Sequence, residues 1–277
     1  MADEALRLRA SGALPALLGT GVALQIAYPL VHGTVRDHLS IVIVAVLAGS
    51  CLVHAALTRG AQTAAALLGG TAVPGYAVEV LGVHTGVPFG SYAYSSSLGP
   101  RLLGVPPVIG LAWTMLAWPA ALAARRLARR TVARVVVGGW ALATADLFLD
   151  PQQVAAGHWA WRYPSPHLPG VPDVPLTNYA GWLAVALVLS AAVQALAGDG
   201  DDAPMVGLYL WLYAGWVVAL GAFLDLAAAA GWGALAMGTV AVPLAVRSFR
   251  PRRATLAERA GMQRIAKPPP ERSKGPR

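Results

Sequence analysis

The chain has 277 residues, of which 56% are hydrophobic and only 12% charged, with a mean hydropathy of +0.56. Soluble globular domains carry about twice that charged fraction, and several apolar runs here reach the ~20 residues that cross a bilayer. Composition therefore excludes a soluble fold and predicts an all-α polytopic membrane helix bundle, while a single cysteine, Cys51, excludes intrachain disulfides and cysteine metal clusters.

In chain order, Met1–Ala10 mixes Asp3 and Glu4 with Arg7 and Arg9, so no cleavable signal peptide is expected. Apolar spans are then predicted at roughly 12–32, 39–58, 62–82, 103–124, 131–149, 178–197, 205–228 and 231–247. The last two are parted only by a tight turn expected near Gly231, so the count is eight, or seven if they merge. Two long loops, rich in Gly, Pro and aromatic residues, follow the third and fifth spans. Residues 1–247 are thus expected to form the transmembrane domain. Residues 248–277, a net charge of +8 for the chain being largely theirs, read as a basic, disordered cytoplasmic tail beside anionic lipid rather than as a nucleic-acid arm.

Basic residues set the orientation. One set of loops holds Arg7, Arg9, Arg59, Arg125, Arg126, Arg129, Arg130, Arg134 and the tail; the other holds only Arg36, Arg101 and Arg162. A multi-pass cell-membrane protein is expected, with both termini cytoplasmic and the two aromatic loops extracytoplasmic.

Three acids fall within spans: Glu79, Asp146 and Asp225. Each precedes the outer end of its helix by a few residues, and Asp150 shares the face of Asp146 one turn later. At about 1.5 Å per residue this predicts four carboxyls in one layer roughly 5 Å below the outer boundary. An ionisable group in hydrocarbon marks a functional site by default, although snorkelling or a structural bond between helices is the plainer alternative for any one of them.

The two aromatic loops share a plan. Tyr92 follows Glu79 at the same interval as Trp159 follows Asp146; YAY (92–94) answers WAW (159–161), and VPPVIGLAW (105–113) answers VPLTNYAGW (174–182). Two related helical hairpins, a parallel repeat about the membrane normal, are expected. His84, Phe89, Tyr92, Tyr94, Trp113, His158, Trp159, Trp161, Asn178 and Trp182 are predicted to line a substrate pocket, with Trp118, Tyr163, Tyr179 and His167 in the same outer layer. An interfacial aromatic belt is the competing reading.

No two of the six histidines (His32, His38, His54, His84, His158, His167) lie three or four residues apart. The helical spacing of carboxylate–histidine metal sites is therefore absent, and no phosphate-binding loop or nucleophile elbow occurs. Neither metal nor cofactor is expected. What remains is acid–base chemistry: an acid in an apolar site keeps its proton to donate, a wetter carboxylate activates water, and aromatic faces stabilise a passing carbocation.

These residues resemble a known family. Glu79, Thr85-Gly86, Pro88-Phe89-Gly90, Tyr92, Tyr94 and Trp113, and then Asp146, Asp150-Pro151, Gly157, Trp159, Trp161, Asn178 and Gly181-Trp182, are similar to two motif blocks of the membrane carotenoid-biosynthesis proteins. Characterised members include bisanhydrobacterioruberin and γ-carotene hydratases. The likeness covers about residues 75–185 and departs from the family around Asp173, where the loop is longer. It implies a cofactor-independent hydro-lyase that adds water to the terminal double bond of an acyclic carotenoid end group to give a tertiary alcohol. The implied partners are a lipophilic carotenoid, membrane lipid and other enzymes of carotenoid biosynthesis. The resemblance carries no catalytic assignment. From placement, Glu79 or Asp146 is expected to protonate the alkene, Asp150 to orient and deprotonate water, and Asp225 to tune a neighbour, with the substrate arriving sideways between helices. A transporter or channel, a non-catalytic carotenoid- or lipid-binding protein, and a hydroxylase or desaturase stand as alternatives.

Overall fold

A computed structural model describes residues 2–249; the basic tail expected from 248 onward lies, from residue 250, outside the described residues. Nine α-helices are present among them: α1 (Ala2–Ala27), which a short 3-10 turn (Tyr28–Leu30) follows, α2 (Gly33–Arg59), α3 (Ala61–Thr85), α4 (Val108–Leu127), α5 (Thr131–Ala143), α6 (Asp146–Ala155), α7 (Leu176–Leu196), α8 (Ala203–Ala222) and α9 (Ala227–Phe249). They make eight spans, each long and apolar enough to cross a membrane, because α5 and α6 together form one, residues 131–155. The protein is an all-α polytopic bundle.

α4 is its central helix. Every residue from Trp113 to Ala124 is buried, and α2, α3, α5, α7 and α8 all pack on it. The run is rich in alanine, which lets helix backbones approach closely where lipid gives no hydrophobic drive to associate. At one crossing even alanine would not fit: a Cβ on Gly75 of α3 would lie 2.4 Å from the Trp113 ring.

Two departures from the sequence reading matter for the site. The fifth span does not run as one helix. At Thr144–Ala145 the hydrogen bonds tighten, with Ala145 N–H donating to Leu142 O and Phe148 N–H to Ala145 O, a three-residue step that re-aims the chain. Asp146 thereby opens a new helix. The turn between the last two spans lies at 223–226 rather than near Gly231, which is inside α9; Asp225 sits there with φ +57, in the left-handed region.

The aromatic loops pair with each other. Strand β1 (Tyr92–Tyr94) runs antiparallel to β2 (Trp159–Trp161), with Tyr92 opposite Trp161, Ala93 opposite Ala160 and Tyr94 opposite Trp159. The ladder extends symmetrically: Arg162 N–H donates to Ser91 O and Ser95 N–H to His158 O, both at 2.8 Å. Equivalent positions, Tyr92 with Trp159 and Tyr94 with Trp161, are thus related by a local pseudo-twofold axis between Ala93 and Ala160. Gly90 and Gly157, equivalent positions leading into the strands, both take positive φ, +88 and +76, which a residue without Cβ adopts freely. Deeper in the bundle the equivalent indoles Trp113 and Trp182 stack, with centroids 4.2 Å apart. The two aromatic segments that the sequence sets in correspondence therefore meet each other in the structure. A second short pair, β3 (His167–Leu168) with β4 (Val171–Pro175), lies between β2 and α7.

Candidate functional site

Two helices, α3 and α6, bring carboxyls beneath the β1–β2 ribbon, and α7 adds the Asn178 amide. Glu79 of α3 is buried, and its Oε2 accepts hydrogen bonds from Tyr92 Oη at 2.5 Å and Tyr94 Oη at 2.8 Å. Alternation along β1 produces this arrangement: Tyr92 and Tyr94 point to one side while Ala93 points to the other. Asp150 of α6 accepts from Trp159 Nε1 at 3.1 Å on one oxygen and from Asn178 Nδ2 on the other. The same Asn178 amide nitrogen donates to Asp146 Oδ2 at 2.7 Å. Asp146 is fully buried, and its Oδ1 has no hydrogen-bond partner. Buried polar atoms are normally paired, so this oxygen is an unsatisfied acceptor within the cluster.

The Glu79 and Asp150 ends are joined through rings. Tyr94 meets Trp159 edge to face at 5.3 Å, Tyr92 meets Trp161 at 5.5 Å and Tyr94 at 5.7 Å. Trp161 Nε1 donates to Phe89 O, which ties the first loop to the second. Phe89 is seated over α7 because Gly181 lies beneath it; a Cβ there would approach Pro88 O to 2.7 Å.

These groups border a cavity of about 640 Å³. Of the residues expected from the sequence, Glu79, Asp150, Phe89, Tyr92, Tyr94, Trp113, Trp159, Trp161, Asn178 and Trp182 line it. Asp146 stands just behind, bonded through Asn178. Three expected residues do not join them. Asp225 is exposed in the α8–α9 turn, beside a separate smaller hollow that also holds Asp173; the break in the helix carried it out of the layer. His84 is exposed, its Nδ1 against Val80 O, because it points away from the ribbon. His158 is buried but faces the other side of β2, where Nδ1 meets Ser97 Oγ at 2.7 Å and Nε2 meets Ser40 Oγ at 3.5 Å. Burial pushes its imidazole below the usual range, opposed by Asp37 at 3.9 Å. It clamps α2 to the loops. Trp118 lies deeper than the outer layer and donates to His54 Nδ1, and Arg162 is exposed.

The cavity also has walls that no motif marked. Gln152 and Gln153 follow Asp150 on α6, and Gln152 Oε1 accepts from Trp216 Nε1 of α8, whose ring stacks on Phe148 at 5.6 Å. Ser40 and Tyr28 contribute from the N-terminal third. Gln152 was open to detection, since it sits in the helical turn that carries Asp150; Ser40, Tyr28 and Trp216 have no local signature. Among the described residues, no group of three His, Cys, Asp or Glu side chains is placed to hold a metal ion.

The family described as "Carotenoid biosynthesis protein" matches residues 39–246, most of the chain. Bisanhydrobacterioruberin hydratase of Haloarcula japonica is 36% identical over 132 residues, which cover 45% of this chain and 41% of that protein. The match thus spans less than half the length of that relative. No solved structure matches.

Proposed function

Since the chain belongs to the carotenoid biosynthesis protein family, we propose that it is a carotenoid hydratase, adding water across the terminal double bond of an acyclic end group without a cofactor. The relative named as a hydratase supports the reaction class. The observation that carries the reading is a cavity lined by two carboxyls, Glu79 and Asp150, which the rings of Tyr94 and Trp159 join.

Roles follow from hydrogen-bond direction. Two tyrosine hydroxyls donate to Oε2 of Glu79 and the Trp113 side chain also interacts with this carboxyl; the acid proton is assigned to Oε1, the oxygen that the tyrosines do not occupy. Glu79 gives that proton to the less substituted alkene carbon; a C–H bond forms, the π bond breaks, and a tertiary cation remains. The tyrosine donors stabilise the carboxylate as it develops, the kind of fixed electrostatic help that accounts for much of enzymatic rate enhancement. The faces of Tyr92, Tyr94, Trp159 and Trp161 stabilise the cation. Water then attacks the cationic carbon and passes a proton to Asp150, held by Trp159 and Asn178. Asp146 positions this base: two carboxyls on one amide nitrogen avoid mutual repulsion when the pair keeps one proton. Return of the proton from Asp150 to Glu79 through cavity water closes the cycle. Atoms balance as alkene plus water giving tertiary alcohol.

The bias of basic residues toward one set of loops supports a topology with both termini cytoplasmic and the acids near the extracytoplasmic side, where an end group of a bilayer-spanning polyene meets water. The test is isotopic: the purified chain in liposomes, given an acyclic carotenoid in oxygen-18 water, incorporates one labelled oxygen per reacted end. Pigment recovered without label refutes the reaction.

A further inference from the structure

The cavity extends well beyond the acids. From Glu79 and Asp150 it continues between the N-terminal hairpin and α8, to Ile26 and Leu30 on one wall and Val218 and Phe223 on the other. These four line the cavity yet are 55%, 63%, 55% and 54% exposed. Side chains that face both a cavity and the exterior stand at its mouth, and here all four are apolar. α1 and α8 are stapled where Trp211 Nε1 donates to Gln25 Oε1 at 2.8 Å. Along α8, Trp211 to Phe223 is about 18 Å, so the gap opens on the aromatic-loop side of that staple. The α8 wall is narrow there, with Ala214, Gly215 and Ala219 lining it, while the Trp211 and Trp216 indoles give flat faces. A slot of this kind suits a rigid planar chain, since ligand sites bury most of a ligand against apolar walls and orient it with few polar groups.

We propose that the gap between α1 and α8 is the lateral mouth of the site, and that a conjugated polyene chain occupies it with its end group at Glu79 and Asp150. The identity of the occupant rests on the hydratase reading; the mouth rests on the geometry. Only one end group reaches the acids at a time, and the rest of the chain stays in hydrocarbon.

The test fills the mouth from each wall in turn, with Ala219→Trp from α8 and Ile26→Trp from α1. The variants are expressed in a pigment-making host and purified, and bound polyene per chain is read by absorbance. Each variant is expected to retain about tenfold less pigment, a change equivalent to ~1.4 kcal/mol. In liposomes, conversion of the long polyene relative to a ten-carbon isoprenoid with the same end group falls by a similar factor. Retention of pigment within about twofold by either well-folded variant overturns the mouth. Ile26 is 55% exposed at the rim, so its variant carries the test if Ala219→Trp does not accumulate. Glu79→Gln, with the mouth intact, is expected to keep pigment and lose conversion. If the unmodified chain hydrates neither substrate, the hydratase reading falls while the pigment-retention arm still decides the mouth.

Discussion

Removing the two phenolic donors from Glu79 is the sharpest perturbation of the proposed acid. Tyr92→Phe and Tyr94→Phe keep the rings, their edge-to-face contacts and the ribbon, and delete only hydroxyls 2.5 and 2.8 Å from Oε2. A hydrogen bond to a charged group contributes about 1.5–3 kcal/mol. If that stabilisation is realised as the carboxylate forms, each variant should lower the hydration rate by roughly 10- to 100-fold. The two effects should fall short of additive, because both donors converge on one oxygen. Single-turnover conversion in liposomes, followed by mass analysis of the pigment, measures this directly, with retained pigment reporting binding separately. Made in the Glu79→Gln background, the same substitutions should change any residual rate by less than about twofold, since the developing charge is gone. A double Tyr92→Phe, Tyr94→Phe variant that turns over at the unmodified rate would refute the assignment of Glu79 as the acid.

Other expectations follow from the same geometry. Asn178→Leu leaves two buried carboxyls without their shared donor and should cost several kcal/mol of stability, read as a lower unfolding midpoint, along with conversion. Asp225→Asn should leave conversion within about twofold of the unmodified chain, because Asp225 is exposed in a turn away from the cavity and Asn tolerates its left-handed backbone. Gly181→Ala drives a Cβ against Pro88 O and should destabilise the Phe89 wall by about 1–3 kcal/mol, seen as a lower unfolding midpoint. His158, held below its ordinary value by burial, binds fewer protons folded than unfolded, so stability is full above the unfolded value of about 6.5 and falls as pH drops below it. Thermal unfolding between pH 7.5 and pH 5, both approximate limits, should show that loss, and His158→Gln should flatten it.

Much of this was legible in the sequence because its signals are local. Span length and hydropathy fixed the bundle, and the matched acid-to-aromatic interval marked two aromatic segments that pair with each other, Tyr92 with Trp161 and Tyr94 with Trp159. Misplacements arose where backbone direction outweighs composition. The apolar run through Leu224–Ala230 continues across a break that hydropathy does not register, so Asp225 was read into a helix and a layer it does not join. His84 and His158 neighbour the right residues in sequence, but a strand sends successive side chains to opposite faces and a helix end points one away. The kink at Thr144–Ala145 contains no proline or glycine to announce it, yet it helps bring Asp146 and Asp150 together on Asn178. Ser40, Tyr28 and Trp216 reach the cavity only through helix packing, which no spacing encodes.

The central claim is that Glu79 and Asp150 together add water to a polyene end. Its most direct measurement is pigment mass in a host making an acyclic carotenoid and expressing the unmodified chain, Glu79→Gln or Asp150→Asn. The account predicts one added water per reacted end with the unmodified chain, and bound but unchanged pigment with either variant at equal protein level. Hydrated pigment from both variants at the unmodified yield would contradict it.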